Sequence, residues 1–367
     1  MNTHELILDG TKILWHRKRV EAWRRGDRIS PITVEMALNR SCNFSCDYCY
    51  ARYQENVSTR LDRAHALAFL DDCKELGVKG VAVIGDGEST LSSFFDDFII
   101  YGKGLGLSMA LGTNGYHFHA TRAERILPWL DYCRFSIASA TREGFMRIMG
   151  AGPVAYMRVR SNIADAVCIK KGDNLPVTIG MQMVVKPDYA AEILPLAYEA
   201  VHLGVDYLIY KHCSDTADGA MGVDYDAYAD IQPLLKQAES LSTPRTAIRV
   251  KWSKMNAGRH RTYVRCYGPP FMLQISGTGL VAPCGMFFDP EYKDYWLGNI
   301  ATERFFDIVT SDRYWRTMTL LGSDNFDARL CPTLCHQHHV NTILDDLGSD
   351  DSIPWPGGDP PTHLNFI

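Results

Sequence analysis

Residues 41–50 read SCNFSCDYCY and carry three cysteines, Cys42, Cys46 and Cys49, within eight positions. Three thiolates at this spacing can bind three irons of one [4Fe–4S] cluster and leave the fourth iron without a protein ligand. A zinc site normally takes four side chains, and a disulfide needs paired cysteines in an oxidising compartment. The triplet therefore favours an iron–sulfur cluster with an open coordination position over the alternative, an incomplete zinc or redox site.

The chain has 367 residues, of which 46% are hydrophobic, and we expect one large domain and one smaller one. Its net charge of −5 provides no general attraction to nucleic acid or to an anionic membrane. It contains no run of about 18 apolar residues, and its first residues lack the apolar region of a signal peptide. We therefore expect a cytoplasmic protein without a membrane partner, whose eleven cysteines serve as ligands or stay reduced.

Apolar runs typical of strands alternate with amphipathic segments typical of helices. The predicted strands are Ile32–Leu38, Val81–Ile84, Leu107–Gly112, Cys133–Ala138, Val177–Val185 and Tyr207–Tyr210. The predicted helices between them include Asp62–Leu76 and Ala190–Leu203. This repeated order predicts an α/β fold in which parallel strands are connected by helices.

The spacing C-x3-C-x2-C, with Tyr48 before the third cysteine, resembles the signature of the radical S-adenosylmethionine (radical SAM) superfamily. The resemblance implies a partial (β/α)6 barrel, with the cysteines on the loop after the first strand, where barrel enzymes place their chemistry. It also implies a [4Fe–4S] cluster that binds SAM and cleaves it reductively to a 5′-deoxyadenosyl radical. The superfamily uses the backbone around Tyr48 against the adenine of SAM.

The second predicted strand ends in the sequence GDGEST, residues 85–90. Glycines allow the backbone to turn sharply and approach a ligand, and an acidic group can hold an ammonium. The stretch is similar to the superfamily motif Gly-Gly-Glu-Pro, which implies that Gly85, Gly87 and Glu88 bind the amino group of SAM. Asp86 and Ser89 depart from that motif.

The next strand ends carry further candidates for SAM binding. Asn114 follows the third strand in a polar turn. The resemblance nominates Ser136 of the fourth strand, or Ser139 in its place, for the ribose, and Arg147 for the carboxylate. A serine bonded to backbone and an ordinary surface arginine are the alternatives.

A second cysteine set comprises Cys266, Cys284, Cys331 and Cys335. The pattern C-x12-G-x4-C at its start resembles the SPASM and twitch extensions of radical SAM proteins. This resemblance implies a small C-terminal α+β domain of the twitch type, with one fully ligated auxiliary [4Fe–4S] cluster. The gap between Cys331 and Cys335 is one residue longer than is common, and a zinc ribbon is the alternative.

Two groups near the predicted sites have open roles. The histidines that follow Cys335, namely His336, His338 and His339, either supply a ligand or simply end a helix. The sixth strand ends in polar residues, Lys211, His212, Cys213 and Asp215, which we assign to the substrate pocket. Cys213 either gives a hydrogen atom to a substrate radical or is a reduced structural cysteine.

We divide the chain into five parts from these patterns: an N-terminal basic segment (1–30), the radical SAM partial barrel (31–215), a helical linker (216–260), a twitch-type domain (261–340) and a C-terminal tail (341–367). The basic segment is either a lip that attracts a phosphorylated substrate or a surface helix. The proline-rich tail is either an extended wrap or a disordered end.

These features predict a radical SAM oxidoreductase or epimerase that takes a hydrogen atom from a polar small molecule, such as a sugar, an aminocyclitol or a nucleotide. Flavodoxin or ferredoxin would supply the electron. Peptide or protein modification is one alternative. It is disfavoured because the roughly 30 residues before the first strand are too few for the peptide-binding domain that many peptide-modifying relatives carry. A non-enzymatic iron–sulfur electron carrier is the other, and the turn at residues 85–90 argues against it because a carrier needs no site for an amino acid moiety.

Overall fold

One sheet of ten strands organises the part of the chain that the computed structural model describes, residues 10–216, 219–257, 260–331, 335–349 and 355–367. The strands are β1 (Thr33–Met36), β2 (Gly80–Val83), β3 (Ser108–Thr113), β4 (Tyr132–Ser136), β5 (Thr178–Val185), β6 (Tyr207–His212), β7 (Ala247–Val250), β8 (Met272–Ile275), β9 (Leu280–Ala282) and β10 (Gly298–Asn299).

The helices of the described residues lie between and after these strands. They are α1 (Arg17–Arg24), α2 (Arg63–Leu76), α3 (Phe95–Gly104), α4 (Ala120–Ile126), α5 (Arg142–Met149), α6 (Pro153–Gly172), α7 (Ala190–Leu203), α8 (Tyr228–Ser240), α9 (Trp252–Ala257), α10 (Phe305–Thr310), α11 (Asp312–Leu321) and α12 (His338–Ser349). None of them is long and apolar enough to cross a membrane.

Strands β1 to β7 are parallel and lie side by side in chain order. Their apolar runs suit a sheet that is covered by helices, because such strands bury most of their side chains. The six predicted strands are all present, with ends shifted by one or two residues. The parallel α/β fold is therefore confirmed, and it brings the loops after β1 to β6 to one edge of the sheet.

The C-terminal strands continue the same sheet. Strand β8 pairs in parallel with β1, and β9 and β10 follow as antiparallel neighbours. The predicted smaller C-terminal α+β domain of the twitch type stays a prediction, and its described strands share the barrel's sheet. The physical reason is that β1 would otherwise present unpaired backbone groups at an open edge.

The segment predicted as a helical linker contains β7 between α8 and α9, which extends the parallel sheet by one strand. The sequence Ala-Ile-Arg-Val gave a weak strand signal because it is short and Arg249 is exposed. The prediction of helices alone for residues 216–260 is thus corrected.

The two chain ends pack against the sheet and against each other. Ile13 and Val20 form a buried apolar cluster with Val340 and Leu344 of α12. Ion pairs such as Arg17 with Glu21 lie on the exposed side of α1, as expected for a surface helix.

The tail covers the amino-terminal ends of the strands. The backbone oxygen of Asn365 accepts a hydrogen bond of 2.8 Å from the hydroxyl of Thr33 on β1. The ring of Phe366 meets the ring of Tyr132 on β4 edge to face, with centroids 5.0 Å apart. Residues 355–367 therefore form the extended wrap that was one of the two predictions for this tail.

Candidate functional site

The three cysteines of the triplet lie on one loop after β1, which we call the first cysteine loop (residues 37–49). The amide of Cys49 donates to the oxygen of Cys46 at 3.2 Å, and the amide of Phe44 donates to the sulfur of Cys42 at 3.5 Å. Burial, and then the charges of Cys49 and Cys42, raise the pKa of the Cys46 thiol to about 12. The structure thus brings the three predicted ligands together.

Helix α5 holds the first cysteine loop from outside. The amide of Asp47 donates to the oxygen of Ile148 at 3.0 Å, and the hydroxyl of Ser45 donates to the oxygen of Gly150 at 3.1 Å. Gly150 has a φ of +55°, and a Cβ there would lie 2.4 Å from the oxygen of Ser45. Only glycine combines this backbone conformation with so close an approach.

The loop after β2 packs closely on the first cysteine loop. A Cβ on Gly87 would lie 2.1 Å from the oxygen of Asn39, and the amide of Glu88 donates to the oxygen of Ser41 at 2.9 Å. Gly85 lies against Ala37 of the same loop. The glycines predicted to contact SAM are therefore placed beside the triplet.

The Glu88 carboxylate is buried and already hydrogen-bonded within the chain. One oxygen accepts from the hydroxyls of Thr90 at 2.5 Å and Thr113 at 2.7 Å, and the other accepts from the amide of Asn114 at 2.7 Å. A carboxylate so occupied braces the loops after β2 and β3. A carboxylate has about four acceptor sites, so the contact of Glu88 with the amino group of SAM stays a prediction.

Asp86, which replaces a glycine of the superfamily motif, connects the loop after β2 to the C-terminal strands. Its carboxylate accepts from the hydroxyl of Ser276 at 2.6 Å and from the amide of Gly277 at 2.9 Å, in the turn between β8 and β9. Burial raises the pKa of this carboxyl group. The sequence alone gave no sign of this partner, because it lies 190 residues away.

The remaining candidates for SAM binding are distributed unevenly around the loop. The side-chain amide of Asn114 donates to Asn43 at 2.9 Å, inside the first cysteine loop. Ser136 is half-buried at the carboxyl end of β4. Ser139 is engaged locally, since its hydroxyl accepts from the amide of Thr141 at 2.9 Å before α5. Asn114 therefore lies closest to its predicted place, while Ser139 serves a turn.

Arg147 lies on α5 with its side chain 52% exposed. Its guanidinium stands over the ring of Tyr189, 5.7 Å from the centroid, and 3.9 Å from the carboxylate of Glu192. These contacts are those of a partly exposed arginine, which was the alternative to its predicted role.

Cys213 is buried beside the first cysteine loop. Its sulfur lies 3.9 Å from the backbone oxygen of Tyr48, and burial raises the pKa of its thiol to about 12. The Tyr48 hydroxyl donates to the sulfur of Met149 at 3.1 Å. Cys213 is thus a neutral thiol next to the residue that precedes Cys49.

The other polar residues after β6 have separate surroundings. Asp215 accepts hydrogen bonds from the amides of Thr216, Met221 and Val223, so it organises its own loop. Both ring nitrogens of His212 are buried without a hydrogen-bond partner among the described residues. The assignment of Asp215 to the substrate pocket is therefore replaced by a structural role.

The second cysteine set converges around Asn341 of α12. The side-chain amide of Asn341 lies 3.7 Å from the sulfur of Cys266 and 3.6 Å from that of Cys335. Burial, and then the charges of Cys335, Cys331 and Cys284, raise the pKa of Cys266. Four thiols are the ligand set of an iron–sulfur cluster or of zinc, and in the described residues they are not placed so that three of them could hold a single metal ion. Pro332, Thr333 and Leu334 lie outside the described residues.

The histidines after Cys335 contact other groups. His336 lies 3.0 Å from the carboxylate of Glu35, and His338 lies 3.3 Å from the hydroxyl of Tyr263. His339 lies 2.5 Å from the hydroxyl of Ser253. In the described ranges, no three His, Cys, Asp or Glu side chains are grouped so that they could hold a single metal ion.

Tyr50 lies between the two sets of cysteines, a feature that the sequence did not indicate. Its hydroxyl is 3.1 Å from the position of a Cβ on Gly285, next to Cys284. Burial, and then the charges of Cys284 and Cys49, raise the pKa of its phenol. The side chain of Gln54 donates to the oxygen of Gly285 at 2.9 Å. The segment after the triplet therefore packs directly on the loop of the second set.

Comparison with known proteins identifies the class. The family model of the radical SAM superfamily matches residues 36–167, which include the triplet and the loops after β2, β3 and β4. This segment is therefore a radical SAM domain. The superfamily uses a [4Fe–4S] cluster and SAM.

Several relatives are similar to parts of the chain. An S-adenosylmethionine-dependent nucleotide dehydratase of Flammeovirga pacifica is 29% identical over 31% of this chain and 40% of the relative. The sporulation killing factor maturation protein SkfB of Bacillus subtilis (strain 168) is 21% identical over 80% of this chain and 71% of SkfB. The chain spans about two fifths of the length of the first nucleotide-modifying relatives that it matches.

The fold is similar to that of solved structures. Streptococcus suis SuiB bound to S-adenosylmethionine has a TM-score of 0.64 and 15% identity, covering 83% of this chain and 72% of SuiB. The likeness therefore extends beyond residues 36–167.

Proposed function

We propose that this protein is a radical SAM oxidoreductase or epimerase that acts on a polar small molecule. The observation that supports the proposal is that Cys42, Cys46 and Cys49 lie on one loop directly after β1, inside the matched domain. Three thiols fit a [4Fe–4S] cluster that keeps one iron open, and they do not complete a four-ligand zinc site.

The residues around the triplet have distinct tasks in this proposal. Cys42, Cys46 and Cys49 hold the cluster, which, when bound with SAM, supplies the chemistry that generates the 5′-deoxyadenosyl radical. The close approach at Gly87 leaves backbone groups of residues 85–87 next to the cysteines for the amino acid part of SAM. Glu88 and Asn114 keep that loop in place.

The second cysteine set would hold an auxiliary [4Fe–4S] cluster of the twitch type. Its four thiols converge, so such a cluster would be fully ligated and suited to electron transfer. The half-buried Tyr50 directly follows Cys49 and its hydroxyl lies next to Gly285, which follows Cys284, so it would provide a short path for an electron between the two sets. An external reductant such as flavodoxin or ferredoxin would supply the first electron.

Cys213 supports epimerisation as one of the two outcomes. Its neutral thiol lies beside Tyr48 and could give a hydrogen atom to a substrate radical. Dehydrogenation, the other outcome, needs no thiol donor. The sulfur radical left by epimerisation would need one electron and one proton to return to a thiol.

Peptide modification is a second candidate function. It is favoured by the similarity to SkfB, named a maturation protein, which extends over 80% of this chain. The nucleotide dehydratase relative favours a small molecule instead, over a shorter stretch of slightly higher identity. The third possibility, an electron carrier, does not explain the glycine loop beside the triplet.

Anaerobic incubation with SAM and dithionite tests the proposal. Protein with both clusters reconstituted should release 5′-deoxyadenosine, measured by liquid chromatography. Fully loaded protein that releases none would contradict the proposed enzyme and support the electron carrier. A chelator-treated sample serves as the matched control.

A further inference from the structure

A cavity of about 140 Å³ lies between the sheet and the tail. Its walls include Glu35 on β1, Arg134 on β4 and Ile209 on β6, and Phe366 and Ile367 of the tail line it as well. Strands that are not neighbours in the sheet thus face one shared space. The volume exceeds the roughly 30 Å³ that one water occupies in the liquid, so the cavity has room for a group of several atoms.

One end of this cavity is close to the first cysteine loop. The side chain of Gln274 donates to Glu35 of the cavity wall at 2.5 Å, and its other end lies, like the Tyr50 hydroxyl, next to Gly285, so Tyr50 is connected to the cavity wall through Gln274. A molecule held in the cavity could therefore extend toward the proposed site of radical formation.

The cavity is lined by an excess of positive charge. Its cationic side chains are Lys12, Arg134, Lys251 and Lys254. Among the described residues that line it, Glu35 carries the one acidic side chain, and the last residue, Ile367, lines it as well. Glu35 is already bound, since it lies 3.0 Å from Nε2 of His336 and accepts from the side-chain amide of Gln274 at 2.5 Å. Two of the lysines donate to backbone oxygens, Lys12 to His363 at 3.2 Å and Lys254 to His336 at 2.8 Å.

The geometry of Arg134 indicates a missing partner. Its Nε is buried and has no hydrogen-bond partner among the described residues. Burial, and then the charge of Arg134, lower the pKa of the nearby Lys211 to about 8, and burial and the charge of Lys254 lower that of Lys251. An anion bound between these groups would favour their charged forms, because a nearby opposite charge raises the pKa of a lysine.

We propose that this cavity binds a phosphate or diphosphate group of the substrate, with Arg134, Lys251 and Lys254 as its contacts. The inference deepens the proposed function, on which it rests for the identity of the site. The three cations come from β4, from the end of β7 and from α9, and so surround the cavity from different sides. A tetrahedral phosphate presents oxygens in several directions and matches the guanidinium fork, whereas a carboxylate presents two oxygens in one plane.

Inorganic pyrophosphate is the probe for this site. Calorimetric titration of the anaerobically reconstituted protein should show binding. The substitutions Arg134→Gln and Lys251→Gln should each weaken that binding by about 10- to 100-fold, the usual worth of a hydrogen bond to a charged group. Arg63→Gln is the matched control. It also removes one positive charge, but Arg63 lies on the surface, in an exposed ion pair with Asp97 on α3. That control should bind pyrophosphate like the wild type.

Three results would overturn the inference. They are no pyrophosphate binding by the wild type, equal binding by the wild type and both cavity variants, and equal affinity for citrate and pyrophosphate. Iron content and circular dichroism check the fold of each variant, and two independent variants keep the test decisive if one misfolds. SAM cleavage by the wild type is measured in a separate experiment. Absence of cleavage would contradict the proposed enzyme, whereas the pyrophosphate titration alone tests the cavity.

Discussion

The two cysteine regions differ in how the chain assembles them. The first places three thiols within eight residues on one loop, held by backbone contacts to α5 and to the loop after β2. The second takes four thiols from a stretch of 70 residues, and the side chain of Asn341 on α12 contacts two of them, those of Cys266 and Cys335. The comparison shows that the first set, whose cluster would keep one iron open, depends on a local sequence. The second set, whose cluster would be fully ligated, depends on the fold of the whole C-terminal region.

Removing the first set should have the largest effect. The triple substitution of Cys42, Cys46 and Cys49 by alanine should lower iron content from about eight to about four per chain, because one of two [4Fe–4S] units is lost. Release of 5′-deoxyadenosine should fall to background. Retention of SAM cleavage in this variant would show that the triplet is not the site. Cys168→Ala, at an exposed cysteine on α6, is the control.

Removing one ligand of the second set should separate cluster content from SAM cleavage. Cys284→Ala should reduce iron to about four per chain and leave 5′-deoxyadenosine formation in place, because the open iron belongs to the other set. Iron analysis and chromatography measure the two effects on one sample. Zinc in the wild-type site instead of iron would contradict the auxiliary cluster.

Cys213→Ala sharpens the role of the thiol next to the first loop. In an epimerase, this variant should still form 5′-deoxyadenosine and lose the inverted product, because the second hydrogen source is gone. The wild type in deuterated water should then place one deuterium at the inverted carbon, since a thiol exchanges with solvent. Unchanged oxidised product in the variant would instead indicate a dehydrogenase and overturn the donor role.

Glu88→Gln should have the smallest of these effects. The backbone N–H of Asn114 points at one oxygen of the Glu88 carboxylate. If the NH2 group of a glutamine took the place of that oxygen, two donors would face each other and neither would have an acceptor. We expect the free energy of unfolding to fall by about 1–3 kcal/mol, the usual result of an unsatisfied buried hydrogen-bonding group, together with weaker SAM binding. Denaturant unfolding and SAM titration measure both. Weaker SAM binding at unchanged stability would favour a direct contact with the amino group instead.

Local patterns predicted much of the parallel fold and the first cysteine loop. Alternating strand and helix signals marked β1 to β6, and the ends of α2 and α7 were predicted to within one residue. The triplet could be recognised because its three ligands and their turns are adjacent in the chain. Local spacing fixes this geometry before any distant contact forms.

Contacts between distant segments could not be predicted in this way. The pairing of β8 with β1, the hydrogen bonds of Asp86 to the turn after β8, and the position of Tyr50 between the cysteine sets each join residues far apart in the chain. Glu88 is a related case, since its partners Thr113 and Asn114 lie on the next strand end. A motif shows which residues are present, and the fold decides what they contact.

Electron paramagnetic resonance of the reduced protein tests the central claim most directly. A variant with Cys266, Cys284, Cys331 and Cys335 replaced by alanine should retain one [4Fe–4S] cluster, held by Cys42, Cys46 and Cys49. Addition of SAM should change the g values of that cluster, because SAM would bind its open iron. A loaded cluster whose spectrum is unaffected by SAM would contradict the account.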